Sequence, residues 1–343
     1  MAPLRVVQWT TGNVGERSVM AVTARPDLEL VGVYAWSPDK VGREIGGVKA
    51  TNDVDALLAL KPDCVIYNPM WSNTDELVRI LEAGVNVVST AAFITGGKSP
   101  DERARIADAC KRGGASMFGT GISPGFIELL AIASAGACDR IDKLTVFEAA
   151  DTTMYDSPAT EIKAGFAQPI DSPDLHAMAA DGTAVFGEAV AMLGDALGVT
   201  FDEIVCEAQF SQTTEDVVME HWTIKAGHVA GMIVRWLGKV GDREVVELNM
   251  KWRKGWTLDP DLPIDELGHK IVIEGQPTIT TRVEFMPPPD FQATSFADFM
   301  KLGHIMTAVP AINAIPGVVA AAPGIVTYND IAMPSPRGWV RAE

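Results

Sequence analysis

The sequence predicts an α/β protein of two domains. The first is a doubly wound parallel sheet, and the second is an α+β domain on an open mixed or antiparallel sheet. Three observations predict this. A length of 343 residues suits about two domains. The first ~120 residues alternate short apolar runs with stretches of helical period, the pattern of right-handed βαβ units. From Lys143 onward the pattern changes to strand-like runs separated by hairpin turns.

Residues 4–9, 28–36, 63–68, 85–90 and 115–119 are short, predominantly apolar runs, as expected of strands buried in a covered sheet. Between them, Gly15, Val19 and Val22 share one helical face, and Leu77, Ile80, Leu81 and Gly84 share another. A further helix begins after Pro124-Gly125 with Phe126, Leu129, Leu130 and Ala133. In the second domain, residues 144–148, 204–212, 221–225, 229–237, 245–252, 271–274 and 278–285 read as strands. Val240-Gly241-Asp242 and Gly275-Gln276-Pro277 are the turns between strand pairs. One helix interrupts them over residues 175–197. Pro287-Pro288-Pro289 marks a loop, and a helix over 294–312 leads into Ile315-Pro316-Gly317. The expected boundaries are 1–124, 125–300 and a C-terminal helix and tail, 301–343, that returns toward the first domain.

A net charge of −17 argues against a nucleic-acid or anionic-membrane surface and fits a soluble cytoplasmic protein. The four cysteines, Cys64, Cys110, Cys138 and Cys206, form no CxxC pair and read as reduced and mostly buried. No signal-peptide pattern opens the chain, and the apolar run 126–138 is too short to span a bilayer. The five histidines form no ligand pair, so no metal site is expected.

The turn after the first strand reads Thr10-Thr11-Gly12-Asn13-Val14-Gly15. It is a GxGxxG-type dinucleotide turn with threonine in the first glycine's place. Gly12 would let the backbone approach a pyrophosphate, and Gly15 would let the helix pack close to its strand. The N–H groups of Gly12, Asn13 and Val14 would hold the diphosphate, and Thr10 would add a hydroxyl. No acid stands at the tip of the second strand, where an NAD ribose would be bound. Ser37 and Lys40, with Arg43 following, suit a 2′-phosphate, so the expected cofactor is NADP in preference to NAD. Asp39 keeps NAD open, and Trp36 would stack on adenine or cap the core. Ligands lie outside the carboxyl ends of such strands. That brings in Asn68-Pro69-Met70, Ser89-Thr90 and the loop Thr120-Gly121-Ile122-Ser123-Pro124-Gly125. Asn313 is a further expected cofactor contact, against a plain helix-terminal role.

RVVQWTTGNVG, LELVGVYAWSPDKVGREIG, GTGISPGF and NAIPGVVAAAPGI together resemble a family of NAD(P)H-dependent amine dehydrogenases. That family is related to 2,4-diaminopentanoate dehydrogenase and, more distantly, to dihydrodipicolinate reductase. The resemblance runs nearly end to end. It implies a Rossmann domain, a substrate and dimerisation domain with an open sheet, and a homodimer. It implies hydride transfer to a C=N carbon, converting a ketone or aldehyde and ammonia to an amine, or the reverse. Another imine or carbonyl reductase, or a silent cofactor-binding sensor, is the alternative. Where dihydrodipicolinate reductase carries a His-His pair and a basic cluster, this chain reads EAADTTMYDSPATEIKAGFAQP. Phe147, Met154, Tyr155, Phe166 and Gln168 are the expected pocket, suited to a neutral or cationic, partly apolar substrate.

The resemblance implies a glutamate after the fourth strand, since a carboxylate stabilises an iminium and accepts the amine's proton. Relatives carry acids directly after that strand, where this chain has Ala91-Ala92. The nearest acid is Glu102. It is either the catalytic group or the last residue of the capping box Ser99-Pro100-Asp101-Glu102, and the two roles are compatible. Glu148 and Asp151 are further acids, and Glu161 beside Lys163 reads as a solvated pair. His176 and His304 read as structural.

Overall fold

The computed structural model describes residues 2–92, 94–96, 99–155, 157–264, 266–293 and 296–340. The chain divides into two compact units, Met1–Phe126 with Ala297–Glu343, and Ile127–Phe296.

The first unit contains strands β1 (Leu4–Trp9), β2 (Leu28–Tyr34), β3 (Cys64–Tyr67), β4 (Asn86–Ser89) and β5 (Ser116–Gly119). A C-terminal strand, Gly324–Val326, completes the sheet beside β5. All neighbours are parallel, in the order C-terminal strand, β5, β4, β3, β1, β2. Every residue of β3 and β5 is buried, which is why the sequence shows them as predominantly apolar runs. The crossovers are helices α1 (Asn13–Thr23), α2 (Val54–Ala59), α3 (Thr74–Glu82) and α4 (Pro100–Gly113). Asp53, Asn73 and Ser99 cap α2, α3 and α4 through side-chain oxygens. The chain passes from β1 to β2 on one side and to β3 on the other. The switch point of the sheet is therefore at the end of β1.

The second unit begins with α5 (Ile127–Ala135) and builds a seven-stranded sheet. Its strands are β6 (Arg140–Asp151), β7 (Glu203–Thr213), β8 (Val229–Val240), β9 (Arg243–Arg253), β10 (Leu258–Asp259), β11 (Gly268–Gln276) and β12 (Ile279–Val283). They lie in the order β10, β7, β8, β9, β6, β11, β12. Only the β9–β6 pair is parallel, so the sheet is mixed. Two helices, α6 (Leu175–Gly182) and α7 (Ala184–Leu197), occupy the stretch expected as one helix. The chain breaks at Thr183, whose hydroxyl bonds Ala179 O at 2.6 Å and accepts Trp236 Nε1 at 2.9 Å. Helices α5 and α7 pack on one face of the sheet. Alternation along β9 buries Leu248 and Met250 on that face and leaves Asn249 and Lys251 on the other.

The last helix, α8 (Phe296–Ala320), runs past the expected end and carries Pro310 and Pro316 inside it. Thr294, its expected start, lies outside the described residues. By length and composition Asp298–Ala320 is apolar enough to cross a membrane. Its residues Ala308, Ala311, Ile312, Ala314, Ile315 and Val318 are nonetheless buried, as in a core helix.

Candidate active site

The residues just past β1–β5 form a bonded row along the carboxyl edge of the first sheet. Thr10 N donates to Tyr34 O at 3.0 Å, Asn68 N to Trp9 O at 3.2 Å, Thr90 N to Tyr67 O at 3.3 Å, and Thr120 N to Ser89 O at 2.9 Å. Side chains tie the row together. Asn68 Oδ1 accepts Gln8 Nε2 at 2.9 Å and Ser18 Oγ at 3.3 Å, while Asn68 Nδ2 donates to Thr90 Oγ1 at 2.7 Å. Gln8 Nε2 also reaches Thr10 O at 3.0 Å, from a fully buried position. Gln8 escaped the sequence reading, because one glutamine in an apolar run carries no spacing signal.

The turn itself is shaped to receive a ligand. A Cβ on Gly15 would fall 2.5 Å from Thr10 O, so only glycine lets α1 start this close to the strand. A Cβ on Gly12 would meet nothing within 4 Å, so that side of the turn is open. Gly12 is the N-cap of α1 and supplies no side-chain cap, which leaves the first amides of the helix to a ligand. A pyrophosphate fits this cradle. Thr10 takes φ 75°, the left-handed conformation that the missing glycine would have adopted. Its hydroxyl donates to Asn68 O at 2.9 Å and so braces the turn from within.

Lys40 Nζ donates to Thr11 O at 2.8 Å, which ties the segment after β2 to the turn. Ser37 precedes the single turn Pro38–Lys40 without a side-chain cap bond, and Trp36 is exposed. Pro69 follows Asn68 at the same edge. Thr120 Oγ1 lies 2.7 Å from the Tyr328 hydroxyl, and Ser123 sits in the irregular segment Ile122–Phe126. Asn313 does not join this group. Its Oδ1 accepts Arg25 Nη1 at 2.8 Å, and Arg25 follows the last turn of α1. An 11-residue helix rising 1.5 Å per residue, about 16 Å in all, separates that contact from the turn.

Glu102 completes both halves of its capping box. It accepts Ser99 N at 3.2 Å, and its own amide donates to Ser99 Oγ at 3.2 Å. Its other oxygen accepts the Thr74 hydroxyl at 3.3 Å. The carboxylate therefore links the starts of α3 and α4 at the carboxyl edge of the sheet. Phe93, Gly97 and Lys98 of the preceding loop lie outside the described residues.

In the second unit the expected pocket residues separate. Phe166 is buried, whereas Met154 and Tyr155 are exposed. Gln168 pairs by its backbone with Val229, through Val229 N to Gln168 O at 2.8 Å. Phe147 lines a cleft of about 1050 Å³ together with Glu148, Lys251, Leu267, His269 and Phe285. Asp151 is a turn former, accepting Thr153 N at 2.9 Å. His176 packs edge-on against Phe210, and burial lowers the pKa of His304, with Arg17 adding to the shift.

Glu161 corrects the sequence reading most sharply. It is buried, and its Oε1 lies 2.7 Å from Nζ of Lys254. The Lys254 side chain has no exposure at all, donates to the carbonyls of Thr152 and Tyr155, and lies 5.7 Å from the ring centres of Phe166 and Trp222. Adjacency suggested Lys163 as the partner. Strand β9 delivers Lys254 to the segment that follows β6, because the two strands run parallel and end together.

A family model described as the 2,4-diaminopentanoate dehydrogenase C-terminal domain matches residues 126–341. An amine dehydrogenase of Streptomyces virginiae is 30% identical over 356 aligned residues, covering 96% of each chain. The 2,4-diaminopentanoate dehydrogenase of Acetoanaerobium sticklandii is 24% identical over 273 residues, 76% of this chain and 70% of that protein. The structure of an amine dehydrogenase from Mycobacterium smegmatis superposes with a TM-score of 0.76 over 98% of each chain, at 20% identity. That likeness shows a shared fold.

Proposed function

The chain belongs to the amine dehydrogenase family that includes 2,4-diaminopentanoate dehydrogenase, and on that premise we propose that it is a nicotinamide-dependent oxidoreductase acting on CH–NH2. It interconverts a primary amine with a carbonyl compound and ammonia. The observation that carries this reading is the turn after β1, open at Gly12, closed at Gly15 and uncapped at the start of α1. When bound there, the cofactor supplies or accepts the hydride.

The chain's own residues perform the rest of the work in this reading. The amides of Gly12, Asn13 and Val14 hold the diphosphate. Thr10, Asn68 and Thr90 fix the shape of the edge beside it. The absence of an acid at the tip of β2, with Ser37 and Lys40 nearby, supports NADP over NAD. Glu102 is the acid of the first unit offered as proton acceptor, and its place at the helix start favours the ionised form.

The test has two parts. NADP or NAD should raise the thermal midpoint, with NADP the more effective, and a carbonyl panel with ammonia should oxidise the reduced cofactor. Failure of both nicotinamides on both counts overturns the reading. Glu102→Gln then separates its roles. A loss of turnover of about a hundredfold or more at unchanged cofactor affinity supports proton transfer. A loss of about 1 kcal/mol of stability alone supports the cap.

A further inference from the structure

Tyr328 lies two residues past the C-terminal strand Gly324–Val326, which runs parallel to β5. The register pairs Val326 with Phe118, and two residues on it brings Tyr328 opposite Thr120. The Tyr328 hydroxyl lies 2.7 Å from Thr120 Oγ1, and both residues are buried. The Tyr328 ring packs edge-on against Phe118, with 5.0 Å between ring centres. A closed turn presents it: Asp330 Oδ2 accepts Thr327 N at 2.8 Å and Thr327 Oγ1 at 3.0 Å, and Asp330 N donates to Thr327 O at 3.1 Å.

Thr120 is where the row along the carboxyl edge meets the last segment of the first unit. Its hydroxyl stands against Gly125, where a Cβ would fall 2.5 Å from Oγ1. Gly125 takes φ 142°, and Phe126 N donates to Gly121 O at 3.0 Å, so the segment closes back on Thr120. Thr120 Oγ1 is thus held between the Tyr328 hydroxyl and the returning backbone. The sheet order says which part of a cofactor this segment would meet. A diphosphate on the turn after β1, with the adenosine toward Ser37 and Lys40 past β2, sends the nicotinamide half the other way, over β3, β4 and β5. Three strand spacings put the end of β5 about 14 Å across the sheet from the end of β1.

We propose that Tyr328 is a positioning residue for the nicotinamide half of the cofactor: its hydrogen bond to Thr120 fixes the segment 120–126, on which that half rests. The inference rests on the nicotinamide-dependent reading above. Tyr328 acts through Thr120. No spacing along the chain marks it, because the strand that presents it joins the sheet from the far end of the sequence. Phenylalanine in its place keeps the ring contact with Phe118 and loses the hydroxyl alone.

The test compares two dissociation constants of the full chain. One is for NADPH or NADH, whichever binds wild type more tightly, read from the emission of the reduced nicotinamide. The other, by calorimetry, is for the matching fragment without the nicotinamide ring, 2′-phospho-ADP-ribose or ADP-ribose. Tyr328→Phe should weaken the whole cofactor about fivefold to tenfold, the worth of one neutral hydrogen bond, and leave the fragment within about twofold. Thr120→Val removes the same bond from its other end and should show the same split. The double variant should bind the whole cofactor no more weakly than either single. Equal weakening of cofactor and fragment reports damage to the fold alone and overturns the proposal. So does a double-variant loss equal to the product of the singles, or no loss at all. If Tyr328→Phe does not fold, the Thr120→Val split decides. Wild type tests the underlying reading separately. Binding of neither nicotinamide overturns that reading and the proposal with it, whereas tight binding with no split in the variants overturns the positioning role alone.

Discussion

Replacing Lys254 by methionine tests how far one buried ion pair secures the second unit. Methionine keeps the length and apolar contacts of the stem but removes the charge. In the native structure the ammonium meets the carbonyls of Thr152 and Tyr155 and the Glu161 carboxylate. Its removal leaves Glu161, whose side chain is 8% exposed, without that counter-charge. Breaking such a pair from one side costs about 3–5 kcal/mol. For a unit of this size each kcal/mol moves the midpoint by about 2–4 °C, so the melting transition should fall by roughly 6–20 °C. Urea unfolding followed by far-UV circular dichroism gives the free energy directly. The double variant Glu161→Leu with Lys254→Met removes both charges and should lie within about 2 kcal/mol of wild type. A single-variant loss below about 1 kcal/mol, or a double-variant loss equal to the sum of the singles, would refute the argument.

Glu247 supplies the pH prediction. Burial pushes its carboxyl up, but hydrogen bonds from Arg235 and Lys143 outweigh burial and hold its pKa at about 2. A pKa lowered on folding adds stability above the unfolded value near 4.5, and that stability is lost as pH falls toward 2. The amount is about 3 kcal/mol, and Glu247→Gln should flatten the urea-midpoint profile over that window. Gly12→Ala should leave the ligand-free midpoint within about 0.5 kcal/mol, because its Cβ enters open space, yet abolish the stabilisation by NADP. Gly15→Ala should instead lower the ligand-free stability itself by about 1–3 kcal/mol, since its Cβ would strike Thr10 O. Burial pushes the Cys110 and Cys206 thiols to about 11 and the Cys64 thiol higher still. Ellman's reagent at pH 8 should therefore find one fast thiol, Cys138, and all four after denaturation.

The first sheet was legible in the sequence because its strands are buried on both faces. Burial leaves predominantly apolar runs, and the Gly12–Gly15 spacing marks the turn whatever residue precedes it. The second unit's strands were legible by alternation, but its site was not. Its polar contacts depend on register: Glu148 meets His269, and Lys254 meets Glu161, only because particular strands lie side by side. No spacing along the chain encodes either pair. Lys163 drew attention simply because it lies two residues from Glu161. Asn313 was misplaced for a similar reason. The proline after it reads as a helix end, whereas α8 tolerates Pro316 and continues. Thr10 shows the opposite limit. Its backbone role as a stand-in for glycine was visible, but the direction of its hydroxyl was not.

The strand Gly324–Val326 has a consequence for how the molecule is made. It is the edge of a sheet whose other strands all precede residue 120, and the whole second unit is encoded between them. During synthesis the ribosome delivers β5 long before the strand that covers it. The nascent sheet must wait with the row of β5 N–H and C=O groups bare, an open invitation to pair with another chain. A stop codon before Gly324 would make the wait permanent. Its visible symptom would be insolubility on expression rather than a slow enzyme.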